Sequence, residues 1–367
     1  MRCIMGSFRW ILLFLSCIGC AEIGGEKSRL PIVDSTAESP PKTQREPSNI
    51  LKTNRNAEIC ARIGRLNLIG VSPGSGMYTY LKEEMLSLVR KYGINIHPLA
   101  LENKNYYQCA DTDENRLKAF LEAVDSDHEI IWTVRGGFGS GIIIDELNKI
   151  PVPKKKKILV GFSDTTSLHL FVTQKWGWKA IHGSVLMFLC RQNFANRRFD
   201  TLLDLLDGKL QSYEIAPLYA LNKAAVNKKI IKGKLTGGNL TSIESSIGTC
   251  WEIHAKNKII FVEDINLLPW WMYRSMYHLK ESGRLRGASA IVFGRFCNGG
   301  SQEALTSYMK KFADLVDIPV FVTNEFGHGN NNQPLIYEAD AVIQNKKIIV
   351  DAKSLYCPEG RGRYVKS

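Results

Sequence analysis

The stretch KKKILVGFSDTTSLHLF, Lys155–Phe171, decides the fold. Ile158, Leu159 and Val160 form a short apolar run bounded by lysines on one side and Gly161 on the other, the pattern of a buried strand. After the turn GFSD, residues Thr165, Leu168, Phe171 and Val172 recur at helical spacing. Ser163 is therefore expected on a tight strand-to-helix turn with its hydroxyl exposed above a sheet, which is how a nucleophilic serine is presented. The helix N-terminus beyond it supplies free backbone N–H groups and a partial positive charge, both suited to an oxyanion forming beside the serine. A Ser-Asp pair after a strand also serves as an N-cap with no chemistry attached.

Working back toward the N-terminus, the same strand-turn-helix unit repeats. Leu66–Val71 is an apolar strand ending in SPGSG, Leu81, Met85, Leu88 and Val89 mark a helix before Gly93, and Ile94–His97 reads as a second short strand. A helical pattern through Leu117, Phe120, Leu121 and Val124 leads to the strand Ile130–Val134, then RGGFGSG, Arg135–Gly141, and a helix over Ile142–Leu147. This alternation predicts an α/β fold with a parallel sheet, helices on its faces and a site at the carboxyl ends of the strands. Ser72, Arg135 and Ser163 should converge there. RGGFGSG matches neither G-x-G-x-x-G nor the P-loop spacing, so it is a weak nucleotide signature. Its other reading is close backbone approach, with the Gly137 amide joining the Asp164 amide as oxyanion donors.

Beyond the helix Phe199–Leu206, the irregular passage from Asp207-Gly208 to about Asn227 reads as an interdomain connection. GKLTGGNLTSIESSIGT, Gly233–Thr249, pairs a glycine turn with a helix, and KIIFVED delivers Glu263 and Asp264 to the end of the strand Ile259–Val262. Asp264 is expected to cap the next helix, Trp271–Lys280, leaving Glu263 for the site. A strand at Ala290–Phe293, a helix near Ala304–Leu315 and a strand at Val320–Thr323 lead into NEFGHGNNNQP. There His328, a loop histidine between two glycines, can reach a site built on another strand. His182, in AIHGS after a short strand, competes with it.

The 367 residues are 44% hydrophobic and 23% charged, ordinary globular composition with room for two cores. The net charge is +12; residues 1–58 carry eight Lys/Arg against six Asp/Glu, which removes 2 and leaves +10 on the folded part. Such a charge favours anionic surroundings without specifying chemistry. No nucleic-acid motif accompanies it, and the lysines are scattered except for Lys154–Lys157, so nucleic acid is not an expected partner. Of the nine cysteines, Cys3, Cys17 and Cys20 lie in the N-terminal segment, and the other six, Cys60, Cys109, Cys190, Cys250, Cys297 and Cys357, are far apart with no C-x-x-C pair, a spacing on which zinc-ribbon and thioredoxin-like readings fail. Nothing calls for a metal or a cofactor.

At the N-terminus, Arg2 and Arg9 precede the apolar run Trp10–Cys20, too short for a comfortable membrane span and suited to a secretory signal. Gly19-Cys20-Ala21 is similar to a bacterial lipobox, with Ser16-Cys17 as a second acylation candidate. Residues 21–58, rich in Glu, Ser, Pro, Thr and Lys, have the composition of a flexible tether. The expectation is an exported, envelope or periplasmic protein held to a membrane. Its divisions would be a signal at 1–20, a tether at 21–58, a nucleophile domain at 59–207, a linker at 208–230, a second domain at 231–353 and a tail at 354–367.

Taken in order, RGGFG, VGFSDTTSLHL, IHGSV, GKLTGGNL, FVED with its aromatic, Arg-containing helix, and FGHG resemble the serine LD-carboxypeptidase family, which includes the microcin-immunity peptidases. The resemblance spans about Ile63–Lys353. It implies a Ser-Glu-His triad of Ser163, Glu263 and His328, oxyanion donors at Gly137 and Asp164, a Rossmann-like nucleophile domain with a smaller β-rich α/β domain carrying Glu and His, and a homodimer. The implied reaction is hydrolysis of an L,D-peptide bond, releasing D-Ala from a murein tetrapeptide whose carboxylate needs a partner such as Arg135, with Gly136 beside it. Many relatives carry Arg where this chain has Ile142, and INLLPWW, Ile265–Trp271, is more aromatic than usual. Trp270 or Trp271 stacking on a base would favour the second reading, cleavage of peptidyl or aminoacyl nucleotides. A third is a non-catalytic lipoprotein that binds peptidoglycan.

Overall fold

The computed structural model describes residues 48–191 and 198–356, with side chains from Arg55 onward. The signal, most of the tether, and the tail from residue 357 lie outside the described residues, with Cys3, Cys17, Cys20 and Cys357. Two sheets organise the chain. The first has the order β1-β2-β3-β4-β11, built from β1 (Leu68–Val71), β2 (Ile130–Thr133), β3 (Ile158–Gly161), β4 (Lys179–His182) and β11 (Leu335–Ile336). Strands β1 to β4 are parallel, with Leu159 registered between Ile131 and Ala180. Every residue of β1, β2 and β3 is buried, as both-face coverage by helices requires.

The second sheet has the order β5-β13-β12-β7-β8-β9-β10-β6. Its centre is β7 (Ile230–Asn239), β8 (Lys258–Ile265), β9 (Ala290–Cys297) and β10 (Val320–Gly327), all parallel. Antiparallel strands flank it: β5 (Ser212–Ile215), β6 (Tyr219–Ala220), β12 (Asp340–Gln344) and β13 (Lys347–Asp351). The α/β class with a parallel first sheet is as the sequence predicts. Phe120, Trp132, Phe171 and Phe199 fill the first core, and Phe261, Phe293, Phe296 and Phe312 the second. Each fully buried Phe contributes about 1.5–3 kcal/mol of transfer free energy.

Four sequence expectations are corrected. Residues 48–58 are helical, within a helix spanning Ser48–Arg65. The mostly polar stretch Ser48–Asn56 hides it, because its buried anchors Ile59, Cys60 and Ile63 come later, and Arg62 then pairs with Asp204 of the Phe199–Leu206 helix and with Asp207 at its end, at 2.7 and 2.6 Å. Ile94–His97 is not a strand; one bridge joins Ile96 to Gly70, and His97 caps a short helix opened by Pro98. The passage at 208–230 is no linker, since β5 and β6 complete the second sheet. In β5, Tyr213 and Ile215 are buried while Ser212 and Glu214 are exposed, an alternation too short to stand out in sequence. The glycines of GKLTGG lie inside β7, where Tyr337 Oη donates to the Gly237 carbonyl at 2.8 Å.

The chain also crosses back between sheets. β11 pairs antiparallel with β4, Leu335 opposite His182, so a segment following β10 closes the edge of the first sheet. This crossing brings the carboxyl ends of β3 and β10 together. Among the described residues no helix is long and apolar enough to cross a membrane.

Candidate active site

Ser163 follows β3 directly and adopts φ +63°, a left-handed conformation that costs a non-glycine residue energy and persists where surrounding structure enforces it. It opens a 3-10 turn, Ser163–Thr165, that runs into the Thr166–Phe171 helix. The glycine loop lies directly on it: a Cβ added at Gly136 would stand 2.9 Å from Ser163 Cβ and 3.3 Å from Asp164 N. Gly137, at φ +86°, turns the loop away, and its N–H has no acceptor among the described residues.

The loop is held from beneath by the aspartate that follows the serine. Asp164 Oδ2 accepts from Ser140 N at 2.8 Å, and the fully buried Arg116 guanidinium donates to the carbonyls of Gly139 and Pro73. Burial pushes the Asp164 carboxyl up, against the Ser140 hydrogen bonds and the Arg116 charge that pull it down. Ser75 adds a second tie, accepting from Phe138 N at 3.0 Å while its own N–H donates to Gly136 O at 3.0 Å. The SPGSG and RGGFGSG loops are thus one clamped unit above the β1, β2 and β3 ends.

From the second sheet come Glu263, on β8, and His328, just past β10. His328 Nε2 lies 3.1 Å from Ser163 Oγ, and its Nδ1 lies 2.5 Å from Glu263 Oε2. Glu263 is fully buried and His328 nearly so. Burial pushes the Glu263 carboxyl up, but the charge and hydrogen bond of His328, with His182 and Asn239 beside it, outweigh that and hold it below the ordinary carboxylate range. The arrangement can move a proton from the Ser163 hydroxyl to the ring, with a carboxylate stabilising the cation that results.

A cavity of about 450 Å³ opens beside Ser163, lined by residues including Gly137, Ile142, Asp164, Asn239, Thr241 and Trp251. Sequence reasoning missed Trp251, which follows no obvious motif, and Asn239, which lies in the GKLTGGNL motif with nothing there to assign it a role. Asp264 caps a helix, but not the one expected. It accepts from Thr241 N at 2.9 Å and from Asn239 Nδ2 at 2.8 Å, at the start of the Leu240–Ser245 helix, whereas the Pro269–Glu281 helix starts at Leu268 with no side-chain cap.

Arg135 donates to Gly76 O at 2.9 Å and to Tyr78 Oη at 3.1 Å, with its guanidinium 4.0 Å from the Tyr78 ring centroid. Trp270 and Trp271 stack on each other at 5.6 Å on an exposed helix start, and neither lines the cavity. Arg295 on β9 is the unanticipated cation: partly buried, with its stem packed where a Cβ of Gly329 would lie, it makes no hydrogen bond or ion pair to any described residue. His182, the competing histidine, is fully buried beneath the site. Among the described residues no group of three or more His, Cys, Asp or Glu is placed to hold a metal ion, and Cys60, Cys109, Cys190, Cys250 and Cys297 are free thiols.

Comparison with known proteins agrees with this architecture. Residues 69–183 match the LD-carboxypeptidase N-terminal domain and residues 232–343 the LD-carboxypeptidase C-terminal domain. A putative carboxypeptidase of Rickettsia conorii is 43% identical over 239 residues, 65% of this chain and 75% of the relative. The murein tetrapeptide carboxypeptidase of Pseudomonas aeruginosa is 27% identical over 294 residues, 78% of this chain and 94% of that protein. In fold, the chain is similar to the muramoyltetrapeptide carboxypeptidase from Oxalobacter formigenes, with TM-score 0.62, 22% identity, and 77% and 97% of the two chains covered. It is also similar to the microcin C7 self-immunity protein MccF in complex with glutamyl sulfamoyl guanosine, with TM-score 0.63, 20% identity, and 79% and 96% covered. With both domains matched in order, and a relative sharing more than two fifths of its aligned residues, this chain belongs to the LD-carboxypeptidase family of serine-type peptidases.

Proposed function

We propose that the protein hydrolyses the L,D-peptide bond that joins a terminal D-Ala to a murein tetrapeptide, using Ser163, His328 and Glu263 as a triad. The carrying observation is the hydrogen-bonded chain Glu263–His328–Ser163, drawn from two sheets onto a serine held in a left-handed turn. His328 Nε2 takes the Ser163 proton as Oγ attacks the carbonyl carbon. The Gly137 and Asp164 amides receive the oxyanion. Collapse of the tetrahedral intermediate breaks the C–N bond, His328 protonates the departing D-Ala amine, and water, deprotonated by the same ring, releases the acyl group. Glu263 sets the ring's tautomer and stabilises its cation.

The free carboxylate of the leaving D-Ala distinguishes a carboxypeptidase substrate from an internal peptide bond. Arg135, the sequence candidate for it, is already engaged by Gly76 and Tyr78, so Arg295, beside the His328 loop and with no hydrogen bond or ion pair to a described residue, is the better supported cation. A nucleotide conjugate needs a ring platform at the cavity. The Trp270–Trp271 pair expected in that role does not line the cavity, which weakens the nucleotide reading, and Trp251, which does line it, is the tryptophan left to support it. The complete hydrogen-bonded chain weighs against a purely binding lipoprotein. Export, acylation at Cys20 or Cys17 and a homodimer remain part of the proposal, supported by the N-terminal charge-then-apolar pattern and by the family resemblance. Incubation of murein tetrapeptide with wild type and Ser163→Ala, with D-Ala release followed by mass spectrometry, tests it. Turnover should vanish in the variant; turnover that survives refutes the assignment.

A further inference from the structure

Behind the Ser163–His328–Glu263 contacts sits a second set of buried polar groups that those contacts leave unused. Glu263 gives Oε2 to His328, while its buried Oε1 makes no well-formed hydrogen bond, although the Asn239 amide stands beside the carboxylate. Asn332 accepts from Gly327 N at 3.0 Å through Oδ1, immediately before His328, and its Nδ2 is buried and unpartnered. The fully buried His182 has the Asn332 amide beside it, and neither of its ring nitrogens makes a well-formed hydrogen bond. Buried polar atoms left without partners are rare, and three residues together call for a physical account.

His182 occupies the seam of the molecule. It ends β4, registered with Gly161 on one side and Leu335 of β11 on the other. Its ring meets Phe162, the residue before the nucleophile, at 5.6 Å, Phe261 of β8 at 5.5 Å and Phe326 of β10 at 6.5 Å. The titratable groups facing it are Glu263 from β8, His328 from the loop after β10, and His169 from the Thr166–Phe171 helix; the Asn332 amide stands beside it. Burial, reinforced by the His328 charge, pushes this imidazole down to about 4, against the pull of Glu263 and of the Asn332 side chain. The ring is therefore neutral at working pH, with one N–H donor and one bare nitrogen acceptor. The remaining groups match it: Glu263 Oε1 can only accept, and Asn332 Nδ2 can only donate.

We propose that His182 is a positioning residue for the carboxylate of the triad: one ring N–H donates to Glu263 Oε1 and the other nitrogen accepts from Asn332 Nδ2. The proposal rests on the reading that Ser163, His328 and Glu263 carry out the hydrolysis. It closes a loop of contacts, Gly327–Asn332–His182–Glu263–His328, that fixes both carboxylate oxygens and the backbone leading into His328. A carboxylate held at both oxygens cannot rotate away from the imidazole when charge develops there.

Two substitutions separate this role from simple packing. His182→Phe keeps a ring and removes both nitrogens, whereas His182→Gln keeps a donor and an acceptor. In His182→Phe, kcat/KM on murein tetrapeptide should fall at least about tenfold, and the acid limb of its pH profile should move up by about one unit. The sign follows because a carboxylate deprived of a donor binds its own proton, and the proton on His328, more tightly. His182→Gln should recover most of both. A wild-type profile in the Phe variant, or a Gln variant no better than Phe, overturns the proposal. Should the Phe variant fail to fold, ¹⁵N NMR of the wild-type imidazoles decides: His182 should show one fixed tautomer and no titration between about pH 5.5 and 9, and a ring that titrates there or exchanges tautomers overturns it. Fluorophosphonate labelling keeps the two levels apart. An unlabelled Ser163 in wild type breaks the triad reading, while the NMR result judges His182 without reference to turnover.

Discussion

Acidification is the perturbation whose cost can be worked from the buried histidines. His182 is held at about 4 in the folded protein, against roughly 6.5 for an exposed imidazole in the unfolded chain. Between those values the unfolded chain binds a proton that the folded protein refuses, so stability rises with pH through this window and is lost as pH falls through it. The full separation sets a ceiling of about 3 kcal/mol, and a drop from pH 7 to pH 4.5 removes about 2 kcal/mol of it. His169, also fully buried and pushed well down by burial, acts in the same direction.

The raw pH dependence mixes signs. Burial raises Asp164 and Asp264, which therefore take up protons more readily when folded and favour the fold on acidification. Glu263, held low, adds to the loss at the acid end. The clean measurement is the difference between wild type and His182→Gln, whose side chain does not titrate. Urea unfolding at pH 7 and pH 4.5 should show wild type losing about 2 kcal/mol more than the variant over that interval. Equal losses in the two proteins would mean that the ring takes up its proton without unfolding, and would refute the account of His182 as a dry, neutral side chain.

Two further substitutions bear on the site. In Gly136→Ala the added methyl would stand 2.9 Å from Ser163 Cβ and 3.0 Å from Phe162 O, so the serine must shift; fluorophosphonate labelling of Ser163 should slow by about 100-fold or more, and a wild-type labelling rate would refute the close-approach role of the glycine. In Arg295→Gln, loss of one charge-assisted hydrogen bond should raise KM for murein tetrapeptide about tenfold with kcat changed only a few-fold, and an unchanged KM in steady-state kinetics would remove Arg295 as the carboxylate partner.

The elements that could be read from sequence are those whose environment is written in their own residues. The inner parallel strands are covered on both faces, so IILV-type runs such as Ile158–Val160 and Ile259–Val262 announce themselves, and the glycine turns at their ends mark the site edge. The flanking strands β5, β6, β11, β12 and β13 are two to five residues long and exist because a neighbour offers a ladder. Nothing local distinguishes Leu335–Ile336 from a turn, yet pairing with His182 makes it the strand that joins the two sheets. The Ser48–Arg65 helix is hard to read for a related reason: its apolar anchors are confined to its second half, and Arg62 is held by two aspartates that lie far along the chain.

The site divides in the same way. Ser163, Glu263 and His328 can each be singled out as a reactive side chain at or just past the end of an apolar strand, where it has little structural use, and His328 is in addition flanked by glycines. What their neighbours do cannot be read from the chain, because sequence alone points a cap or a hydrogen bond to the nearest partner along it. In a parallel sheet the nearest partner in space is at the end of the adjacent strand. Glu263 and Asp264 are consecutive on β8, so their side chains leave opposite faces. One goes to His328 from the loop after β10, and the other goes to Asn239 and Thr241 where β7 turns into its helix. The cap expected on the following helix is therefore made on the preceding one. That places Asp264 in the wall of the cavity beside Ser163, so a single dipeptide supplies both the carboxylate bonded to His328 and part of the cavity lining, which under the proposed mechanism are the proton path and a surface that the substrate meets.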